Sequence, residues 1–81
     1  MKQKRYKEKR PQIGDLVQDK NDGEIGLVMS VGPGIQISYE DKDYPNGSIP
    51  SWKLRWPSIP HVCDLGYDTL TEGHVEIISK A

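Results

Sequence analysis

Turn residues divide this chain into short pieces, and this division constrains its fold more than any other feature. Eight glycines and six prolines are spread over 81 residues. No stretch has the periodicity of an amphipathic helix, whereas short runs between the turns alternate apolar and polar residues. This pattern is typical of a small antiparallel barrel or sandwich, so we predict an all-β fold.

Five runs are predicted to form strands, joined by tight turns that include Asp22-Gly23, Gly32–Gly34 and Asn46-Gly47. The runs are Gly14–Asp19, Glu24–Val31, Ile35–Glu40, Trp52–Trp56 and His74–Ser79. Gly26, inside the second run, indicates a bulge or a close approach of backbone. Ile25, Leu27, Met29 and Val31 share the opposite face of that run.

Inward positions are predicted for alternate side chains of the other runs. In the third and last runs these are Ile35, Ile37, Tyr39, Val75 and Ile77. Residues 57–73 hold two prolines and two glycines, and we expect an irregular insertion there with a single helical turn around Leu70–Glu72.

Gly14–Val31 resembles the KOW pattern, with a Gly-Asp opening, an apolar first strand, and then Gly26 followed by alternating aliphatic residues. The chain is also similar to short barrels of uncharacterised bacteriophage proteins, which open with GDLV, continue with IGLV and close with a strand like VEII. The resemblance implies a small five-stranded SH3-like barrel over residues 12–81, with Trp52 or Trp56 in its tryptophan-containing strand. KOW-type barrels contact RNA or other proteins, but the nucleic-acid-binding members lack the acidic barrel of this chain.

Charge separates the first ten residues from the rest. Met1–Arg10 contains six basic residues and one acidic residue, whereas Gln12–Ala81 contains five basic and eleven acidic residues. We therefore predict a basic, extended N-terminal arm over residues 1–11 attached to an anionic barrel over residues 12–81.

The arm is the first candidate binding site, because blocks of like charge often act as interaction tails. It would contact phosphates or an acidic protein surface, and the ring of Tyr6 would stack on a base or pack on a partner. The alternatives are a solubilising tail and an arm that folds back on its own barrel. The candidate residues are Lys2, Lys4, Arg5, Tyr6, Lys7, Lys9 and Arg10.

The second candidate is an interaction surface made by Trp52, Lys53, Arg55 and Trp56. Two tryptophans beside two cations would suit bases or a protein partner. The competing interpretation places at least one tryptophan in the core, because the chain has no phenylalanine and few other large apolar residues.

Metal and catalytic sites find little support. His61, Cys63, Asp64 and His74 lack the paired spacing of zinc ligands. No nucleophile elbow or phosphate-binding loop is present, so we predict no enzyme activity, no metal and no cofactor.

The single cysteine excludes an intramolecular disulfide, which favours a reducing compartment or an assembled particle. No signal peptide or membrane-spanning segment is expected, so we place the protein in a virion or the host cytoplasm.

Together these features predict a non-enzymatic accessory protein of a larger assembly, such as a phage particle, that docks on protein subunits by its barrel and its cationic arm. The alternative is a free KOW-like module that binds nucleic acid or regulates transcription or translation. The sequence leaves the partner and the oligomeric state open.

Overall fold

A computed structural model describes residues 10–81 as an all-β chain with one short helix. Residues 1–9, and with them the arm candidates Lys2 to Lys9, lie outside the described residues. The elements are β1 (Leu16–Asp19), β2 (Ile25–Val31), β3 (Ile35–Gln36), β4 (Ser48–Ile49), β5 (Ser51–Arg55), β6 (Cys63–Gly66), α1 (Tyr67–Thr71) and β7 (Val75–Ser79).

One antiparallel sheet carries most of the fold. Its five strands run in the order β6-β5-β2-β1-β7, so β2 is the central strand. The register shifts between Leu16 and Val17 where β1 meets β7, and between Val28 and Ser30 where β2 meets β5. Such bulges bend and twist a strand, and the sheet curls into a half-barrel. The predicted all-β fold with a five-stranded small-barrel sheet is confirmed.

The hairpin of β2 and β5 continues past the sheet into a second hairpin, formed by β3 and β4. Ser51 stabilises the bend between the two hairpins. Its carbonyl accepts a hydrogen bond from Gly32 N at 2.9 Å, and its Oγ accepts one from Gly34 N at 3.0 Å. Gly34 has a φ of 97°, a left-handed conformation that glycine adopts without strain.

The core lies on one side of the curled sheet, which we call the inner face. Val17, Val28 and Leu54 are fully buried there. Trp52, Leu65, Leu70, Val75 and Ile77 complete the buried cluster, with Trp56 and Tyr67 packed against it. The predicted inward positions of Val75 and Ile77 are therefore confirmed.

The Trp56 ring packs directly against the backbone of Gly26 on the inner face. A Cβ placed on Gly26 would lie 2.7 Å from Cε3 of Trp56, so only glycine leaves room for that ring. The predicted close approach at Gly26 is confirmed, and the atom that requires it is in the indole of Trp56.

Two predictions about the middle of the chain are wrong. The third strand ends at Gln36, and Ile35 and Tyr39, which were expected to point inward, are 36% and 61% exposed because the chain leaves the five-stranded sheet here. The segment 57–73 is not simply irregular, because it contains β6, which pairs with β5, and the helix α1. The predicted helical turn is present but begins at Tyr67.

One carboxylate joins the two ends of the described chain. Asp15 is 0% exposed, and its oxygens accept hydrogen bonds from Gln12 N at 2.8 Å and Ala81 N at 2.7 Å. Lys80 Nζ lies 2.9 Å from the same carboxylate. Burial alone would raise the pKa of Asp15, but these donors outweigh it and hold the pKa below its ordinary value.

Candidate docking surface

The side of the sheet away from the core, the outer face, carries an apolar row along the central strand β2. Ile25, Leu27 and Met29 are 43%, 39% and 41% exposed. We call these three residues the outer stripe. Leu16 of β1 lies directly opposite Leu27 and extends the apolar surface toward the neighbouring strand.

The outer stripe is exposed because the alternate residues of β2, Gly26 and Val28, must face the core. Side chains alternate along a strand, so a shift by one residue would exchange the two faces. Gly26 receives the Trp56 ring and Val28 packs in the core, and both needs are met only when Ile25 and Leu27 point outward. Val31 is also exposed, but it lies past the bulge, opposite Trp52, and is not part of the stripe.

Cations border the outer stripe on the β5 side. Arg55 pairs in register with Leu27 and is exposed. Lys53 lies two residues away on the same strand, with its Nζ 2.6 Å from Asp64 Oδ1 of β6. Within residues 10–81 no ion pair includes Arg55, so its charge is available to a partner.

The opposite border, on the β1 and β7 side, is more acidic. Gln18 of β1 lies beside Ile25 on one side and Glu76 of β7 on the other. Glu76 Oε2 is 3.4 Å from Lys20 Nζ, and the side chains of Lys20 and Glu76 are 50% and 36% exposed. Within residues 10–81 the outer face therefore has an apolar centre, with Arg55 in no ion pair on one flank and a weakly paired carboxylate on the other.

The structure separates the residues of the second sequence candidate. Trp52 and Trp56 lie on the inner face, where Trp52 is buried and tilts against Tyr67 with ring centroids 6.1 Å apart. Lys53 and Arg55 lie on the outer face, because neighbouring residues of a strand point to opposite sides. The four residues do not form one surface, and the burial of Trp52 agrees with the competing interpretation that places at least one tryptophan in the core. Only Lys53 and Arg55 remain near a candidate surface.

Sequence reasoning found the apolar row on β2 but not its exposure. The signal was present: Val28 and Gly26 provide a second face that can be buried, and Trp56 needs a residue without a side chain opposite it. A strand with apolar residues on both faces leaves the choice of inner face open until its partners are known.

Arg10 and Pro11, the last residues of the predicted arm, contact the folded residues 12–81, which we call the body. The Arg10 guanidinium carbon lies 4.8 Å from the centroid of the Tyr67 ring, and the Arg10 carbonyl accepts a hydrogen bond from Lys80 Nζ at 3.4 Å. Pro11 is buried. Arg10, which the sequence assigns to the arm together with Pro11, therefore also packs against Tyr67 at the start of α1.

The loop between β3 and β4 forms an open concavity of about 680 Å³, lined by residues 37–47. Tyr44 faces α1 from this loop. Burial raises the pKa of the Tyr44 phenol, with further increases from Asp68, Asp43 and Asp41, while a hydrogen bond with Thr71 acts in the other direction. We find here a loop tied to the helix, without a convergent set of reactive groups.

The residues considered for metal binding do not converge. His61 and Cys63 are two residues apart, and the Cys63 thiol contacts the His61 carbonyl oxygen at 3.8 Å. Over residues 10–81 no group of three potential ligands could hold a metal ion.

Comparison with protein families, curated proteins and solved structures finds no match to this chain. In the part of the chain that the structure describes, no helix is long and apolar enough to cross a membrane.

Proposed function

We propose that this protein is a non-enzymatic binding component of a larger assembly and that it docks on a protein through the outer stripe. The exposure of Ile25, Leu27 and Met29 in one row carries this proposal. Contiguous exposed apolar patches that are bordered by polar residues often mark interaction sites. An apolar centre bordered by Arg55 matches the anatomy of a protein interface.

The cationic arm supports a second contact within the same assembly. Arg10 lies over Tyr67 at the start of α1, and the other basic residues of the predicted arm precede Arg10 in the sequence. Their charge suits an acidic neighbouring subunit or nucleic acid held in the same particle. Because the sequence resembles short phage barrels, a phage particle is the assembly to test first. The protein would then be found in the virion or in the cytoplasm of the host cell.

A second candidate function is a free nucleic-acid-binding regulator, and the basic arm is the feature that favours it. In that case the isolated chain would bind RNA or DNA, and its affinity would fall steeply with salt. Eleven acidic residues beyond the arm oppose nucleic acid binding by the barrel itself.

The test compares two aspartate substitutions at equally exposed apolar residues. Leu27 is 39% exposed on the stripe, and Val62 is 40% exposed in the loop before β6. The chain would be crosslinked in the cells that produce it, recovered with an antibody and quantified with its bound proteins by mass spectrometry. We expect wild type and V62D to recover the same proteins in a fixed molar ratio, and L27D to lose them by roughly tenfold or more. Equal recovery by L27D would refute docking through the stripe.

Deletion of the arm separates the two candidate functions. The deletion should remove residues 2–9 and keep Arg10 and Pro11, because those two residues contact the body. Fluorescence anisotropy with labelled RNA and DNA oligonucleotides would then compare the truncated and full chains over a salt series. Tight, salt-sensitive binding by the full chain alone would favour the regulator over the assembly component.

A further inference from the structure

We infer that the protein covering the outer stripe is a second copy of this chain, in a two-fold dimer whose axis runs along β2. The inference rests on the proposed function, since it names the partner for the same surface. It follows from three features of the outer face: the central position of the apolar row, the opposite character of its two flanks, and the curl of the sheet.

The position of the stripe suits an isologous contact. In such a contact the same patch on each copy must complement itself. Because β2 is the middle strand of five, an axis along β2 places the stripe of one copy on the stripe of the other. Apolar side chains meet apolar side chains, which removes both rows from water.

The flanks select the direction of the axis. A two-fold axis along β2 carries β5 of one copy over β1 of the other, and β6 over β7, because the two strands of each pair lie equally far from β2 on opposite sides. An in-plane axis across the strands would instead place β5 on β5 and bring two Arg55 side chains together. Like charges face to face are unfavourable, so the charge distribution favours the axis along β2.

In this arrangement Arg55 faces the flank that holds the partner's Glu76. Within residues 10–81 no ion pair includes Arg55, and Glu76 has only an exposed contact with Lys20 at 3.4 Å. Arg55 lies over β1 of the other copy, and Glu76 is on the next strand, β7. Glu76 is in register with Gln18, which pairs with Ile25, one outward position along β2 from the level of Leu27 and Arg55. A long arginine side chain can span such an offset.

The curl of the sheet agrees with a contact centred on one strand. The core fills the inner side of the half-barrel, so the outer face bulges outward. Two outward-curved sheets touch closely along their central strands and separate toward their edges. The outer face has short apolar residues where the sheets would touch and long charged residues, Arg55 and Glu76, where they would diverge.

The first experiment measures self-association of the purified full chain by sedimentation velocity over a concentration series. We expect a monomer–dimer equilibrium that is visible by roughly 100 µM. L27D should weaken the dimer by roughly 30-fold or more, as expected for a central interface residue, while V62D should leave it unchanged. M29E provides a second stripe variant, and circular dichroism of each variant shows that the sheet is retained.

The second experiment tests the axis by exchanging charges. R55E and E76R should each weaken the dimer by roughly three- to tenfold, and the double variant R55E/E76R should restore most of the loss. Because both side chains are on the outer face, neither substitution disturbs the core. If the double variant lost as much dimerisation free energy as the two single variants together, the proposed axis would be overturned.

A chain that stays monomeric throughout the concentration series, or a dimer that L27D leaves intact, would overturn self-association. The proposed function would survive that result if L27D still abolished recovery of other proteins from cells, because the stripe would then belong to a different protein. If L27D changed neither self-association nor the recovery of other proteins from cells, the proposed function would be refuted as well.

Discussion

The inner and outer faces of the five-stranded sheet carry similar apolar residues with very different surroundings. On the inner face Leu54 and Val28 are completely enclosed, whereas on the outer face Leu27 and Met29 remain about two-fifths exposed. Both sets alternate along neighbouring strands, so hydrophobicity alone does not distinguish them. The contrast shows that the inner face forms the folding core, and it is the basis of our proposal that the outer face binds a partner.

The largest effect should be the difference in stability lost when Leu54 and Leu27 are each replaced by alanine. Leu54→Ala removes buried methyl groups from the centre of the core and should reduce the free energy of unfolding by about 2–5 kcal/mol. Leu27→Ala should reduce it by less than about 1 kcal/mol in the monomer, because its side chain already contacts water. Urea unfolding followed by tryptophan fluorescence would measure both. Equal losses would mean that the outer stripe is part of the folding core.

The next effect compares an ion pair on a buried carboxylate with a solvated one. Asp15 is enclosed with donors from Lys80 and the backbone, so Asp15→Ala leaves partly buried donors without an acceptor and should cost about 2–4 kcal/mol. Asp64→Ala, which breaks the shorter but solvated contact with Lys53, should cost less than about 1 kcal/mol. Thermal unfolding of both variants would check the difference.

Acid titration tests the same carboxylate without a mutation. Because the folded state holds the pKa of Asp15 below its ordinary value of 3.8, its contribution to stability is complete well above that value. The contribution is lost as the pH falls through 3.8 and below, since the unfolded chain takes up the proton more readily. Wild type should therefore lose more stability than Asp15→Ala over that range. A parallel decline in both proteins would contradict this role for Asp15.

A smaller effect concerns Gly26, which leaves room for the Trp56 ring on the inner face. Gly26→Ala places a methyl group against the Trp56 ring and should cost about 1–3 kcal/mol, with a red shift of tryptophan emission as the ring moves toward water. Trp56→Leu in the same chain should recover part of the loss, because the smaller side chain leaves space for the methyl group. An unchanged emission spectrum and stability would show that Gly26 does not determine the packing of Trp56.

Much of the framework could be predicted from the sequence, because its signals are local. Asp22-Gly23 and Gly32–Gly34 indicate turns, and Trp52–Trp56 alternates strictly, so these elements were placed correctly. The strand β6 was missed, because its sequence Cys-Asp-Leu-Gly has too few residues to show alternation. Pairing with β5 stabilises it, and that partner lies outside any local window.

The candidate site depends on contacts between distant parts of the chain, which explains why its residues were only partly predicted. The row along β2 is visible in the sequence, yet its outward direction depends on Trp56, thirty residues away from Gly26. Lys53 and Arg55 were selected for their charge, and they border the site. The tryptophans were selected with them because adjacency in sequence resembles adjacency on a surface, which a strand does not provide.

The shared carboxylate of Asp15 has a consequence for how this chain can be rebuilt. Because the backbone amides of Gln12 and Ala81 bind the same side chain, the two ends of the body are neighbours in space. A short glycine linker joining them should close the body into a ring, which could be reopened in the loop over residues 37–47. Such a rearranged chain would have its new ends in that loop while keeping every strand pairing intact.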